Sequence, residues 1–155
     1  MLELESISRR TTRRRLLQQL ASCALVLPAL TLAADTTATQ TAIAALIGDR
    51  VPETGKLVMT TPAIAENGNT VPIAVDAGGP FTADDYVKAI HILAPENPVP
   101  EVVSFQFTPR SGLARVSTRI RLARTQDVIA IAELSDGRVW RAANEVKVTI
   151  GGCGG

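Results

Sequence analysis

The sequence predicts a mainly β protein: an immunoglobulin-like antiparallel β-sandwich with an N-terminal helix and a mobile glycine-rich C-terminal arm. Three observations carry this reading. From about Gly55 onward, some seven short runs alternate apolar with polar residues, the period of a half-buried strand. Clusters of Gly, Pro, Asn and Asp punctuate those runs at short intervals, as in a sandwich of hairpins and longer crossovers. Helical spacing comes before them, between Thr36 and Gly48, with Ile43, Leu46 and Ile47 on one stripe and a glycine placed to end it.

Taken in order, the first run, Lys56 to Thr61, precedes Pro62 and reads as an edge or a strand end. Glu66-Asn67-Gly68-Asn69 is a turn, because Asn and Gly accept positive φ at low cost. Thr70 to Asp76 leads to a second turn at Ala77-Gly78-Gly79-Pro80. Tyr86 to Leu93, Val102 to Thr108, Ala114 to Leu122, Asp127 to Leu134 and Arg138 to Ile150 follow, each bounded by turn residues. Val103, Phe105 and Phe107 are expected to point inward, as are Val116, Thr118, Ile120 and Leu122. Val128 to Ala132 is apolar on both faces, which suits a central strand. Phe81, Tyr86 and Trp140 read as core aromatics.

The last run alternates Val146, Val148 and Ile150 with Glu145, Lys147 and Thr149, and stops at Gly151. Gly151-Gly152-Cys153-Gly154-Gly155 then offers one side chain among four glycines. Such a segment has the largest ordering entropy of any sequence and no apolar surface to bury, so it reads as an arm with a thiol near its tip. Extended, five residues reach at most about 17 Å. The plain alternative is a frayed chain end. Prenylation needs the cysteine fourth from the end, and here it is third. A metal site needs several ligands where this region has one.

The beginning of the chain bears on compartment. Thr12-Arg13-Arg14-Arg15-Leu16-Leu17-Gln18 fits a twin-arginine export pattern, with Leu16 where phenylalanine is more usual. An apolar stretch from Leu20 to Leu32 follows, too short for a stable membrane anchor, and Thr31-Leu32-Ala33 or Leu32-Ala33-Ala34 offers a cleavage site. Residues 1–34 therefore read as a removable signal, 35–150 as the helix and sandwich, and 151–155 as the arm. Leu20-Ala21-Ser22-Cys23 resembles a lipoprotein cleavage box, but Gln18 and Gln19 leave too short an apolar region before it. If Cys23 leaves with the signal, Cys153 is the one remaining cysteine, and any disulfide must be to another molecule. Losing five arginines and two glutamates takes the net charge from +1 to −2, which lacks the basic footprint of nucleic-acid binding. No membrane contact is expected after signal removal.

Few residues outside the arm suggest chemistry. His91 is the single histidine, lies in a predicted strand and has no second ligand nearby in sequence, so a structural role is favoured. Arg115, Arg119 and Arg121 share one strand face with Ser117; this is a solvated stripe or a possible partner surface. No phosphate loop, nucleotide fingerprint or serine-nucleophile motif is present. Cys153 has a reference pKa near 8.5 and no cation in the arm to lower it. A thiol unreactive by itself suits a carrier whose activating charges sit in partner enzymes.

Four stretches resemble one family: Ala65-Glu66-Asn67-Gly68-Asn69-Thr70-Val71-Pro72, Asn97-Pro98-Val99-Pro100, Ser117-Thr118-Arg119-Ile120-Arg121-Leu122-Ala123, and Val146 through Gly155 with its terminal Gly-Gly-Cys-Gly-Gly. They look like the SoxY subunit of the bacterial thiosulfate-oxidising Sox system. The resemblance implies a periplasmic heterodimer with a SoxZ-type subunit and a swinging arm. In it, Cys153 carries sulfur intermediates as covalent adducts, and Gly151, Gly152, Gly154 and Gly155 give the arm its reach. It also implies a c-type cytochrome sulfur transferase, a sulfate-releasing hydrolase and a sulfur dehydrogenase as partners, with no cofactor beyond the adduct and no catalysis by the chain itself. The competing reading is an exported immunoglobulin-like interaction module that forms a disulfide-linked dimer through Cys153.

Overall fold

Apolar alternation along the second half of the chain resolves into two sheets packed face to face. The computed structural model describes residues 30–79 and 81–151, with side chains from residue 38 onward. Helix α1 (Leu30–Ile47) precedes nine strands: β1 (Glu53–Thr54), β2 (Val58–Thr60), β3 (Ile64–Ala65), β4 (Val71–Asp76), β5 (Val87–Leu93), β6 (Glu101–Gln106), β7 (Arg115–Ile120), β8 (Gln126–Leu134) and β9 (Val139–Val148). The larger sheet runs β1-β9-β8-β5-β6, with β3 also pairing β9; the smaller runs β2-β4-β7. All seven expected runs appear as strands, and the mainly β sandwich with its helix stands as expected.

Between the sheets, Ile90 and Ile92 of β5, Val128 and Ala130 of β8, Val146 of β9 and Val75 of β4 are fully buried in one core. Val103, Phe105 and Phe107 pack against it, as do Phe81 and Trp140, while Tyr86 is half-buried. Asn144 also joins the layers, donating from Nδ2 to the Met59 carbonyl at 3.0 Å. The opposite face of the larger sheet is covered too. There Ala42, Ile43, Leu46 and Ile47 of α1 pack on Leu93, Ile129, Ile131 and Val139. The apolar run of β8 therefore has a simple cause: sandwich on one side, helix on the other.

Helix α1 ends where Gly48 turns to φ 59°, a conformation that costs glycine little. Arg50 then folds back, donating from Nε to the Ile47 carbonyl at 2.7 Å and from Nη2 to the Leu46 carbonyl at 3.0 Å. A cation at this end also complements the helix dipole. The helix starts at Leu30, six residues before the sequence reading placed it and within the last residues of the predicted signal. The sheet also departs from a wholly antiparallel arrangement, since β1 and β3 each pair parallel with β9. These two-residue segments are too short to show any periodicity; long β9 supplies their pairing.

Arg50 also reaches the Glu133 carboxylate, which begins a line of polar groups along the helix-facing side of the larger sheet. The Glu133 Oε1 lies 3.1 Å from His91 Nε2, and His91 Nδ1 lies 2.7 Å from Ser104 Oγ. Ser104 donates in turn to Glu101 at 2.7 Å. His91 is 5% exposed, so its two ring nitrogens need these partners. Its role is structural, linking β5 to β6 and β8. Burial pushes the Glu133 carboxyl up, but hydrogen bonds from Arg50 and His91, with their charges, more than offset it and hold the group below its ordinary value.

Replacing Ile92 by Ala is expected to cost about 2–5 kcal/mol of unfolding free energy in urea titrations, since it opens a cavity between the sheets. Because the folded pKa of Glu133 is depressed, its contribution is complete above the ordinary carboxyl value of 4.5 and is lost as pH falls through the folded value. Glu133→Gln is expected to lower stability at neutral pH by roughly 1–3 kcal/mol. It should also flatten the decline below that pH, read from denaturation midpoints across an acid series.

Candidate functional site

The functional expectation concerns the chain after β9, and the structure shows how that strand is held up to Gly151. On one side runs the segment from Ala63 to Asn69. Lys147 and Thr149 donate their backbone N–H groups to the carbonyls of Ala63 and Ala65, both at 3.0 Å. The Thr149 hydroxyl donates to the Glu66 carbonyl at 2.9 Å, and the Gly68 N–H donates to the Ile150 carbonyl at 2.8 Å. Asn67 shapes this turn by accepting the Asn69 N–H on its own side chain at 2.9 Å.

The second wall is the loop from Arg121 to Thr125. Thr125 Oγ1 accepts the Val148 N–H at 2.9 Å, which takes up a donor lying beyond the last β8–β9 pair. A Cβ placed on Gly151 would lie 2.3 Å from the Ala123 carbonyl oxygen, so only glycine passes here without displacing backbone. The walls are tied together, because the Leu122 N–H donates to the Gly68 carbonyl at 2.8 Å. The result is a slot of backbone and small polar side chains around residues 147–151.

Of the site residues named from sequence, Gly151 lies at the mouth of this slot and is exposed. Cys153, Gly152, Gly154 and Gly155 fall outside the described residues. Arg115, Arg119 and Arg121 are exposed, and β7 does turn Val116, Thr118 and Ile120 inward as expected. The three arginines differ in setting. Arg115 Nη2 pairs with Asp76 Oδ2 at 2.6 Å. The Gly78 N–H and then Arg115 hold that carboxyl below its ordinary value. Arg119 and Arg121 make no ion pair among the described residues. Arg121 lies just past the end of β7, in the loop that walls the slot, while Arg115 stands at the opposite end of that strand.

Sequence reasoning missed Thr125, Asn97 and Gln126, whose side chains build the second wall. Asn97 did stand within a stretch that carried the resemblance, but nothing local showed what it would touch. Among the described residues, no cluster of three His, Cys, Asp or Glu could hold a metal, and no helix is long and apolar enough to cross a membrane.

Comparison with known proteins bears on both fold and site. The model of the sulfur oxidation protein SoxY family matches residues 43–153, a span that takes in the slot and ends on the arm cysteine. No curated protein matches the chain. Among solved structures, the sulfur carrier protein SoxY from Chlorobium limicola f thiosulfatophilum is similar at 34% identity and a TM-score of 0.62, covering 74% of this chain and 99% of its own. A superoxide reductase (neelaredoxin) variant from Ignicoccus hospitalis is similar at 19% identity and a TM-score of 0.54, covering 60% of this chain and 79% of its own. A putative superoxide reductase from Thermotoga maritima aligns at 19% identity and a TM-score of 0.51, covering 63% and 93%. These last two bear on the fold alone. With the family model spanning strands, slot and arm together, the chain belongs to the SoxY family of sulfur oxidation proteins.

Proposed function

We propose that this chain is a periplasmic carrier in thiosulfate oxidation, holding sulfur intermediates covalently on Cys153 while partner enzymes process them. The observation that carries the reading is the slot. It fastens β9 on both edges as far as Ile150 and leaves Gly151 exposed at its mouth, two residues before the thiol. The family match through residue 153 and the SoxY carrier from Chlorobium support it.

In this reading the chain is not an enzyme; it is a substrate that its partners share. A c-type cytochrome sulfur transferase joins the Cys153 thiolate to the sulfane sulfur of thiosulfate. A new S–S bond forms, and two electrons pass to the cytochrome. A hydrolase then cleaves the bond to the sulfonate with water, releasing sulfate and a proton and leaving a persulfide on Cys153. A sulfur dehydrogenase is the remaining partner, acting on that sulfane sulfur. A SoxZ-type subunit completes a heterodimer, and the exposed arginine stripe of Arg115, Arg119 and Arg121 is the proposed partner surface. Export by the twin-arginine route would carry both subunits folded together.

Intact-protein mass spectrometry after incubation with thiosulfate and the partner enzymes tests this. Sulfur-containing mass increments are expected on the wild type and none on Cys153→Ser. A stable disulfide-linked dimer as the working form, with no increments, would favour the interaction-module reading. Gly151→Ala places a methyl against the Ala123 carbonyl and displaces the base of the arm. It is expected to slow partner-driven loading by about tenfold to a hundredfold. Alkylation of Cys153 by a small maleimide should keep its wild-type rate.

A further inference from the structure

Cys153 is two residue steps beyond Gly151, a lever of at most about 7 Å. With so short a lever, the direction in which the chain leaves the slot decides where the thiol can go. That direction depends on the second wall, and the second wall is held from behind by the side chains of Asn97 and Gln126, Asn97 making two of the bonds to it. Asn97 Oδ1 accepts the Ala123 N–H at 2.9 Å and a hydrogen from Gln126 Nε2 at 3.2 Å, while its Nδ2 donates to the Arg121 carbonyl at 2.8 Å. Gln126, 5% exposed, adds its own bonds to the Arg124 carbonyl at 3.1 Å and from the Glu96 N–H at 2.8 Å.

Asn97 is itself well fixed. Its N–H donates to the Ala94 carbonyl at 3.0 Å, and the Ala94 N–H donates to the Pro100 carbonyl at 2.7 Å, which closes the loop. Pro98 and Pro100 restrict φ within that loop and leave no N–H of their own to satisfy. The stretch Asn97-Pro98-Val99-Pro100 thus presents one amide side chain rigidly to a loop more than twenty residues away in sequence. That loop presents Ala123 and Thr125 to the last residues before the arm.

We propose that Asn97 is a positioning residue for the carrier thiol. It fixes the Arg121–Thr125 wall and so sets the direction in which the arm leaves the sandwich. It acts through Ala123 and Thr125. The inference rests on the carrier reading for its purpose, but its geometry is testable without any sulfur chemistry.

The test uses the full chain with Cys23→Ser, a nitroxide on Cys153 and a second on exposed Lys88→Cys, and reads the distance distribution by pulsed electron resonance. Asn97→Ala is expected to widen that distribution by at least about twofold, since a brace lost at the base is amplified at the tip of the lever. Thr125→Val, which keeps shape and removes the acceptor for Val148, should widen it as well. Thr125→Ser should restore it. Val103→Ala, which removes packing on β6 and none of the hydrogen bonds to the wall, should leave the width alone. With partner enzymes, kcat/KM for loading should fall in Asn97→Ala while maleimide alkylation is unchanged. An unchanged width in Asn97→Ala, or equal widening in Val103→Ala, overturns the proposal. If Asn97→Ala does not fold, the Thr125 pair decides: no difference between Val and Ser overturns it. Absence of sulfur adducts on wild-type Cys153 would instead count against the carrier reading, leaving the distance result to stand by itself.

Discussion

The structure depends on how the end of β9 is fastened along both of its edges. A terminal strand ordinarily frays, since its last residues contribute few contacts against the entropy of ordering them. Here the N–H groups of residues 147 and 149 go to the Ala63–Ala65 side, and that of residue 148 goes to Thr125 on the other. Each such bond is worth about 1 kcal/mol net, so several together hold the strand to Ile150. At Gly151 a Cβ would lie 2.3 Å from the Ala123 carbonyl oxygen, which leaves no room for a side chain.

That fastening works only because β9 is locked in register upstream. Val146 is fully buried between the sheets, and its partner across the ladder is Gln126, the residue that braces the Arg121–Thr125 loop. A slip of one residue would turn Val146 and Ala142 toward the helix-covered face and bring Glu145 into the core. The register that satisfies the core is therefore the one that delivers Val148 to Thr125. Core packing and the fastening of Val148 are consequences of the same pairing.

The helix side adds a second constraint. β5 and β8 are buried on both faces, so any polar group there must be paired, and the Arg50–Glu133–His91–Ser104–Glu101 line does this. It also joins the end of α1 to the edge strand β6 across the sheet. In a sandwich with no internal disulfide in its described part, such cross-strand polar links supplement the apolar core.

Much of this was legible in the sequence. Period-2 alternation located all seven longer strands, and the apolar run at Val128 to Ala132 identified a central one. The resemblance to SoxY rested on residues whose structural use could not be read from them. Two-residue β1 and β3 left no pattern, because pairing with β9 creates them. The slot was equally hidden, since Gly68 meets Ile150, Thr125 meets Val148 and Asn97 meets Ala123 only after the chain has folded. The sequence by itself determined the chemistry available, one thiol among four glycines after the last strand, because composition and local period are properties of neighbouring residues. Tertiary structure alone decided which loops grip the end of β9, because hydrogen bonds between residues far apart in the chain are set by sheet register and not by local pattern.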